Sequence, residues 1–350
     1  MLIKKQAASL LISLVISSLA PASTHIMGSL LNSTKSLATP QRIEKISELL
    51  LNSPYSEGVL GEGINGKYDK DPLYRFDEFD CTTFVEIVLA VSISNSIDSF
   101  KVNINNIRYK DGYVSFGTRN HFPSLDWIPN NYAILEDVTR YISPDESKKA
   151  VALIDKRAWY QFSKISKIQS VDVSEVEKKL LLEQLKAEGR QFEPVQAELP
   201  YIPLDSIFKE KTLDMETLRL RADRLKVIES NASLSESERK KQINQFVLKN
   251  RIDDSEIDTA LLAKIPSGSI INVVRPNWKL KKWIGTNMNV SHQGFAIRKQ
   301  GQLFFRHASS EKKAVVDVPF TDYFSQFLFH NSIKGINIQR VTVQNYASSE

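Results

Sequence analysis

Cysteine is nearly absent from this chain, which holds one such residue, Cys81, among 350. A single thiol has no partner for an intramolecular disulfide, so a disulfide-stapled scaffold is excluded. Neither a C-x-x-C nor an H-E-x-x-H spacing occurs, so these zinc patterns are absent as well. The thiol is therefore either a small buried core residue, as free cysteines often are, or a reactive group.

The chain also lacks an apolar run of the roughly 20 residues that a membrane-spanning helix requires. A shorter run, Ala7–Leu19, follows Lys4 and Lys5 and precedes the small residues Ala20-Pro21-Ala22. This pattern is typical of a secretory signal peptide. We therefore expect residues 1–22 to be a signal peptide and the mature protein to be periplasmic or secreted, with no transmembrane span. In that oxidising compartment, a leftover thiol suggests intermolecular pairing or a reactive site.

A strong charge of one sign is missing too. The formal net charge is +5, and lysine and arginine are spread along the chain without an aromatic-interleaved basic stripe. This composition argues against a nucleic-acid partner. An apolar content of 42% and a mean hydropathy of −0.26 are those of a globular protein. We predict no cofactor, and the sequence leaves the oligomeric state open.

The length is sufficient for one large domain with an insertion. A Ser- and Thr-rich segment over residues 23–40 is expected to be a flexible lead-in. The domain is expected to span residues 41–343, followed by a tail over 344–350.

A helical insertion is predicted within the domain, over about 171–258, in which Leu199-Pro200-Tyr201-Ile202-Pro203 breaks the helical pattern and could return to the core. Ser174 and Ser235 each begin a Ser-x-x-Glu capping box that precedes a charged helical pattern. From Ile265 onward, runs of β-branched and aromatic residues favour strands.

The residues after Cys81, Thr82–Ala90, have the apolar pattern of a helix. Cys81 would then lie at or beside the first helical position, where unpaired N–H groups and the helix dipole favour a thiolate. A catalytic thiol needs a base to take its proton and a group that orients the base. His292 and His307 lie on either side of a predicted turn, so adjacent antiparallel strands could bring their imidazoles together.

These three residues predict a catalytic site, with Cys81 as nucleophile, His292 as base and His307 as the group that fixes the tautomer of His292. An oxyanion hole would come from the Cys81 backbone N–H and one neighbouring donor. Two alternatives stay open, because a histidine on a strand is often structural, and one cysteine with two histidines could bind zinc.

Four segments carry a resemblance to the NlpC/P60 cysteine peptidases. The nucleophile motif of that family is similar to Asp80-Cys81-Thr82-Thr83-Phe84, and its base strand to Ser291-His292-Gln293-Gly294-Phe295. Its P-x-G-D turn resembles Pro266–Ile271, with Ser269 where aspartate is usual, and its third catalytic strand resembles Arg306–Ser310. The DUF1460 branch, the N-acetylmuramoyl-L-alanine amidase-like proteins, is the closer match, since Thr-Thr-Phe follows the cysteine there.

The resemblance implies a papain-like α+β fold, with the nucleophile helix packed on an antiparallel sheet and no metal at the site. It implies cleavage of an amide in peptidoglycan or muropeptides, at the bond between N-acetylmuramic acid and L-alanine. Two alternatives are an endopeptidase that cuts between D-glutamate and the diamino acid, and a non-catalytic wall- or partner-binding protein.

The predicted substrate-binding residues lie in two groups. One group flanks the catalytic residues and comprises Asp80, Ser291 and Gln293. The other is a mixed polar and aromatic cluster that we expect to line the cleft: Arg119, His121, Asp126 and Trp127. An arginine could pair with a muropeptide carboxylate and a tryptophan could stack on a sugar face. The alternative for this cluster is a structural loop, anchored by a buried tryptophan and an aspartate cap.

Overall fold

A computed structural model describes residues 25–170 and 173–343 of the chain. The predicted signal peptide over 1–22 and the tail over 344–350 lie outside the described residues. Among the helices of the described part, none is long and apolar enough to cross a membrane.

The strands are mostly short and pair throughout in the antiparallel sense. They are β1 (Leu135–Asp137), β2 (Lys148–Ile154), β3 (Val195–Pro203), β4 (Phe208–Glu210), β5 (Ser255–Ile257), β6 (Ile270–Trp278), β7 (Met288–Lys299), β8 (Gln302–Ser309), β9 (Ala314–Pro319) and β10 (Gly335–Val341). An eight-stranded sheet has the order β2-β3-β10-β6-β7-β8-β9, with β1 also pairing with β10, while β4 and β5 form a separate ribbon. The predicted α+β class with an antiparallel sheet is confirmed.

Helices cover both faces of the sheet. They are α1 (25–34), α2 (Thr39–Leu49), α3 (Cys81–Ser92), α4 (Ile97–Arg108), α5 (Ile128–Asn130), α6 (Thr139–Ile142), α7 (Lys156–Gln161), α8 (Glu175–Gly189), α9 (Leu204–Ile207), α10 (Met215–Glu229), α11 (Glu236–Asp253), α12 (Thr259–Ala263), α13 (Lys281–Ile284) and α14 (Phe320–Ser325). Short 3-10 or π turns occur at Lys110–Gly112, Pro123–Trp127 and Ile165–Lys167.

The start of α3 is set by its own sequence. Asp80 Oδ1 accepts a hydrogen bond from the Thr83 backbone N–H at 2.8 Å, and Thr83 Oγ1 accepts one from the Asp80 N–H at 2.9 Å. This reciprocal capping satisfies donors that would otherwise be unpaired at the helix end. Cys81 is therefore the first helical residue, as predicted.

Burial of its apolar face holds α3 against the sheet. Phe84 is fully buried, and its ring packs edge-on against Phe295 of β7 with 5.8 Å between ring centroids. Burying a phenylalanine side chain contributes roughly 1.5–3 kcal/mol. The opposite face of the sheet is covered by α9, α12 and α14, whose Ile207, Leu261 and Phe324 join a second apolar cluster.

The predicted flexible lead-in is wrong for the residues that the structure describes. Residues 25–34 form α1, and Met27, Leu30 and Leu31 are buried in the same cluster as α3. These three positions have the i, i+3, i+4 spacing of one helix face, so the apolar burial stabilises a helix in a Ser- and Thr-rich segment.

The predicted insertion contains both helices and a strand of the main sheet. Its capping boxes are confirmed, because Ser174 and Ser235 accept from the backbone N–H groups of Glu177 and Glu238. However, β3 lies inside the predicted range and pairs with β2 and β10 in the main sheet. The part that leaves the sheet is therefore α8 and the α10–α11 pair, which rises from the β4–β5 ribbon.

Candidate active site

The Cys81 thiol lies partly buried at the first position of α3. Its sulfur is 3.9 Å from the Thr82 hydroxyl. Burial, followed by the negative charge of Asp80, raises the pKa of the thiol to about 12, while hydrogen bonds from Gln293 and Thr82 act in the opposite direction. In the free protein, burial therefore opposes the thiolate that the helix start was expected to favour.

The two histidines face each other across β7 and β8. His292 Nε2 lies 2.7 Å from His307 Nδ1, and the rings are nearly perpendicular, with an interplanar angle of 87°. Burial lowers the pKa of His292 to about 3, with the charge of His307 acting in the same direction, and burial lowers the pKa of His307 to about 4. Both imidazoles are thus neutral at neutral pH, and one donates its N–H to the other.

Two tyrosines near the sulfur were missed by the sequence analysis. The ring of Tyr323 in α14 lies 4.9 Å from that of His307, and burial together with a charge on Cys81 raises its pKa. Burial and the same charge raise the pKa of Tyr55 to about 12. Tyr55 lies on a loop that precedes α3, and Tyr323 comes from the last helix, so no local pattern connects either with Cys81.

The polar residues beside the catalytic candidates make hydrogen bonds within the protein. Asp80, predicted to bind substrate, caps α3. Gln293, predicted to bind substrate, is buried, accepts from the Thr82 hydroxyl at 3.0 Å and donates to Asn272 Oδ1 at 2.8 Å. The burial of Gln293 argues against a contact with substrate, while the predicted role of Asp80 stays a prediction. Ser291 is partly buried on β7, and no contact in the described residues decides its role.

The predicted role of Arg119 in substrate binding is wrong. Its guanidinium contacts Glu62 at 2.5 Å and Asp69 at 3.0 Å, and its side chain is 17% exposed. Burial raises the pKa of Glu62 to about 6, and the charge of Arg119 opposes this rise. A muropeptide carboxylate would have to displace two carboxylates already in place, so this arginine is an internal ion-pair partner.

The other three members of the predicted cleft cluster are also structural. Trp127 is fully buried and donates from Nε1 to Glu86 Oε1 at 3.1 Å, so it has no face open to a sugar. Asp126 accepts from Lys156 Nζ at 3.1 Å and from the Phe122 N–H at 3.3 Å. The structural-loop alternative, with a buried tryptophan and an aspartate cap, describes this segment.

His121 belongs to the same aromatic cluster. Its Nε2 lies 3.0 Å from the Phe116 carbonyl oxygen, and its ring centroid lies 4.6 Å from that of Trp159. Burial, followed by the charges of Arg119 and Lys156, lowers its pKa well below the ordinary value. This partly buried imidazole thus makes contacts within the loop, through the Phe116 carbonyl and the ring of Trp159.

A group of three or more His, Cys, Asp or Glu side chains that could hold a metal ion is not found within 25–170 and 173–343.

Together, the fold and the site define an α+β protein in which a helix-start thiol accompanies a pair of neutral histidines. The chain belongs to the AmiA-like family, described as N-acetylmuramoyl-L-alanine amidase-like, whose model matches residues 45–237 and 216–328.

Solved structures resemble the chain over most of its length. Protein LPG0564 from Legionella pneumophila str. Philadelphia 1, a DUF1460 protein, is 32% identical with a TM-score of 0.79, covering 94% of this chain and 97% of its own. An N-acetylmuramoyl-L-alanine amidase from Bacteroides uniformis ATCC 8492 is 23% identical with a TM-score of 0.53, and the match covers 87% of this chain and 99% of the amidase. A putative xylanase from Bacteroides fragilis is 25% identical with a TM-score of 0.50, and the match covers 84% of this chain and 99% of the xylanase. No curated protein matches the chain.

Proposed function

We propose that the protein is a cysteine amidase of the NlpC/P60 type, with a papain-like site, that hydrolyses the bond between N-acetylmuramic acid and L-alanine in peptidoglycan or muropeptides. The observation that supports this most directly is the 2.7 Å contact between His292 and His307, which lie on the two strands that pack against the helix beginning at Cys81. Membership of the amidase-like family supports hydrolysis of an amide in the cell wall. Export by the segment 1–22 is part of the proposal.

The histidine pair supports His292 as the base. If His292 Nε2–H donates to His307 Nδ1, the free lone pair of His292 lies on Nδ1, which becomes the nitrogen that takes the thiol proton. His307 then orients the ring and stabilises the imidazolium that forms during the reaction. Because the thiol pKa is raised and the pKa of His292 is lowered, this proton moves only as the sulfur attacks.

The chemistry follows in two halves. In the first, the Cys81 sulfur bonds to the lactyl carbonyl carbon as its proton passes to His292, and the same proton then passes to the departing alanine nitrogen as the C–N bond breaks. In the second, water attacks the resulting thioester, gives a proton to His292, and releases the sugar carboxylic acid while the sulfur regains its proton. The oxyanion of each half would be held by the Cys81 backbone N–H and the phenol of Tyr55.

The test is product analysis on a defined muramyl peptide. Purified protein should release a stem peptide that begins with free L-alanine, as identified by mass spectrometry. Cys81→Ala should abolish turnover, whereas Met215→Ala on the exposed surface of α10 should leave it unchanged. Wild-type turnover by the Cys81 variant would rule out the mechanism.

The products also separate the alternatives. A sugar still attached to L-alanine, with the stem cut after D-glutamate, would assign the endopeptidase reaction to the same residues. Absence of any cleavage, with muropeptide bound, would instead assign a wall-binding role.

A further inference from the structure

A row of buried amides crosses three neighbouring strands of the sheet beside α3. Asn337 of β10 pairs with Asn272 of β6, which in turn pairs with Gln293 of β7. All three residues are at most 1% exposed. Amides buried this completely must satisfy their donors and acceptors within the protein.

These amides form a continuous chain of hydrogen bonds. Asn272 Nδ2 donates to Asn337 Oδ1 at 3.0 Å, and Gln293 Nε2 donates to Asn272 Oδ1 at 2.8 Å. Gln293 Oε1 accepts from the Thr82 hydroxyl at 3.0 Å. We refer to Asn337, Asn272, Gln293 and Thr82 as the amide chain, which connects the middle of the sheet to the residue that follows Cys81.

The direction of the amide chain is fixed at its far end. Asn337 Nδ2 lies 2.6 Å from Asp137 Oδ2 and 3.0 Å from the Pro200 carbonyl oxygen. A carboxylate and a peptide carbonyl only accept hydrogen bonds, so the amide nitrogen of Asn337 must face them and its oxygen must face Asn272. Gln339 Nε2 also donates to that oxygen, at 2.8 Å. Each following amide then has one orientation in which a donor meets an acceptor.

We propose that the amide chain is a positioning device that makes the Thr82 hydroxyl an acceptor of the Cys81 thiol proton. This inference rests on the proposed role of Cys81 as nucleophile. Because Thr82 gives its own proton to Gln293, it can meet the sulfur 3.9 Å away only through an oxygen lone pair. This hydrogen bond stabilises the protonated thiol and does not stabilise the thiolate.

This arrangement has a consequence for an exported enzyme. The thiolate is the form that attacks disulfides and reacts with oxidants, so a thiol held in its protonated form resists both reactions. The amide chain would therefore keep Cys81 reduced and inactive until His292 takes its proton in the complex with substrate. Burial and the charge of Asp80 raise the pKa of the thiol, whereas a hydrogen bond donated by Thr82 would lower it, so the orientation of the Thr82 hydroxyl decides the sign of its own contribution.

Other groups act on the same sulfur and stay in place in every variant described below. The titratable groups that interact with it are Asp80 on the same helix start, Tyr55 on the preceding loop and Tyr323 of α14. The rings of His292 and His307 contact that of Tyr323.

The test is the pH dependence of alkylation of the purified protein by iodoacetamide, read by mass spectrometry on its single thiol. Thr82→Val replaces the hydroxyl with a methyl group of similar shape. If Thr82 accepts the thiol proton, this change lowers the thiol pKa and speeds alkylation at a fixed pH by about threefold to tenfold. If Thr82 donates to the thiolate, the change raises the pKa and slows alkylation, which would overturn the proposal. Thr82→Ser keeps the hydroxyl and should match the wild type.

Asn272→Leu tests the remote part of the amide chain. It removes the acceptor of Gln293 Nε2, so the Gln293 amide can turn this nitrogen toward Thr82 and free the Thr82 proton for the sulfur. Alkylation of Asn272→Leu should be faster than that of the wild type by a similar factor. The double variant Asn272→Leu/Thr82→Val should be alkylated no faster than Thr82→Val alone, because Asn272 affects the thiol only through the Thr82 hydroxyl. Wild-type alkylation by a folded Asn272→Leu protein would overturn the proposal. If that variant does not fold, the sign of the change in Thr82→Val decides.

These measurements need no muropeptide, so they separate the two proposals. Expected alkylation shifts in a protein that hydrolyses nothing would refute only the proposed function. Slower alkylation of Thr82→Val in an active amidase would refute only the role of the amide chain.

Discussion

His292 and His307 meet ring to ring, with 2.7 Å between Nε2 of the first and Nδ1 of the second, although 15 positions separate them in the chain. Gly294 permits this approach of β7 to β8. A Cβ atom at position 294 would lie 2.8 Å from the Cβ of His307 and 2.6 Å from the Arg306 carbonyl oxygen. Only glycine therefore fits at position 294, because β7 and β8 approach too closely there for a Cβ atom.

Gly294→Ala should therefore separate the two imidazoles, because the backbone of β8 would have to move away. We expect kcat on a muramyl peptide to fall by about 10- to 100-fold, with a smaller change in KM, since the base would be misplaced. Gly28→Ala is a matched control, because a Cβ at that position meets nothing within 4 Å. A normal kcat in Gly294→Ala would show that the contact between the histidines is not needed.

Asp80→Asn should make the thiol more reactive without weakening the helix. Asparagine caps a helix about as well as aspartate, so the free energy of unfolding should change by less than about 0.5 kcal/mol. Removing the negative charge should lower the pKa of Cys81, because that charge raises it in the wild type. The iodoacetamide rate at pH 8 is the measurement, with Asp98→Asn in the first turn of α4 as control. Equal rates for the two variants would contradict the electrostatic argument.

Glu86 should make stability depend on pH. It is 5% exposed, and burial raises its pKa from 4.5 to about 7, with the charge of Arg108 opposing the rise. Because the folded pKa exceeds the ordinary value, the stabilising contribution of Glu86 is present in full below about pH 4.5 and is lost as the pH rises through about 7. Glu86→Gln keeps an acceptor for Trp127 but does not titrate.

Urea unfolding of wild type and Glu86→Gln at pH 5 and pH 8 measures this effect. The wild type should lose more stability than the variant between the two pH values. Glu136→Gln, whose carboxylate is about half exposed, serves as control and should parallel the wild type. Parallel behaviour of Glu86→Gln would show that Glu86 titrates normally.

Arg119→Met should act on stability and not on substrate binding. It leaves the carboxylates of Glu62 and Asp69 without their cation, so the free energy of unfolding should fall by about 3 to 5 kcal/mol. Lys149→Met, which removes an exposed partner of Glu198, should change it far less, because water screens an exposed ion pair. A large rise in KM with unchanged stability would instead support the substrate-binding role predicted from the sequence.

Short-range sequence patterns predicted much of the candidate catalytic site. The Asp-Cys-Thr-Thr run contains both the cap and the first turn of α3, so the position of Cys81 could be deduced from neighbouring residues alone. The turn between β7 and β8 brings His292 and His307 to adjacent strands, which made their meeting predictable as well. The same kind of local pattern predicted the starts of α8 and α11 at Ser174 and Ser235.

Several differences from the predictions concern partners that are distant in the chain. Arg119 resembled a free cation because Glu62 and Asp69 lie 57 and 50 positions away. Trp127 resembled a sugar platform because its burial depends on Glu86 and the packing of α3. The strand β3 was placed within a helical insertion because its place in the sheet depends on β2 and β10.

By itself, the sequence determined which residues cap the helices, which helix faces are apolar and which strands are joined by short turns. These features depend on residues only a few positions apart. Only the tertiary structure decided which charges are neutralised, which aromatic rings are enclosed and in which state the thiol rests. Those properties depend on desolvation and on contacts between remote segments, which exist only after the chain has folded.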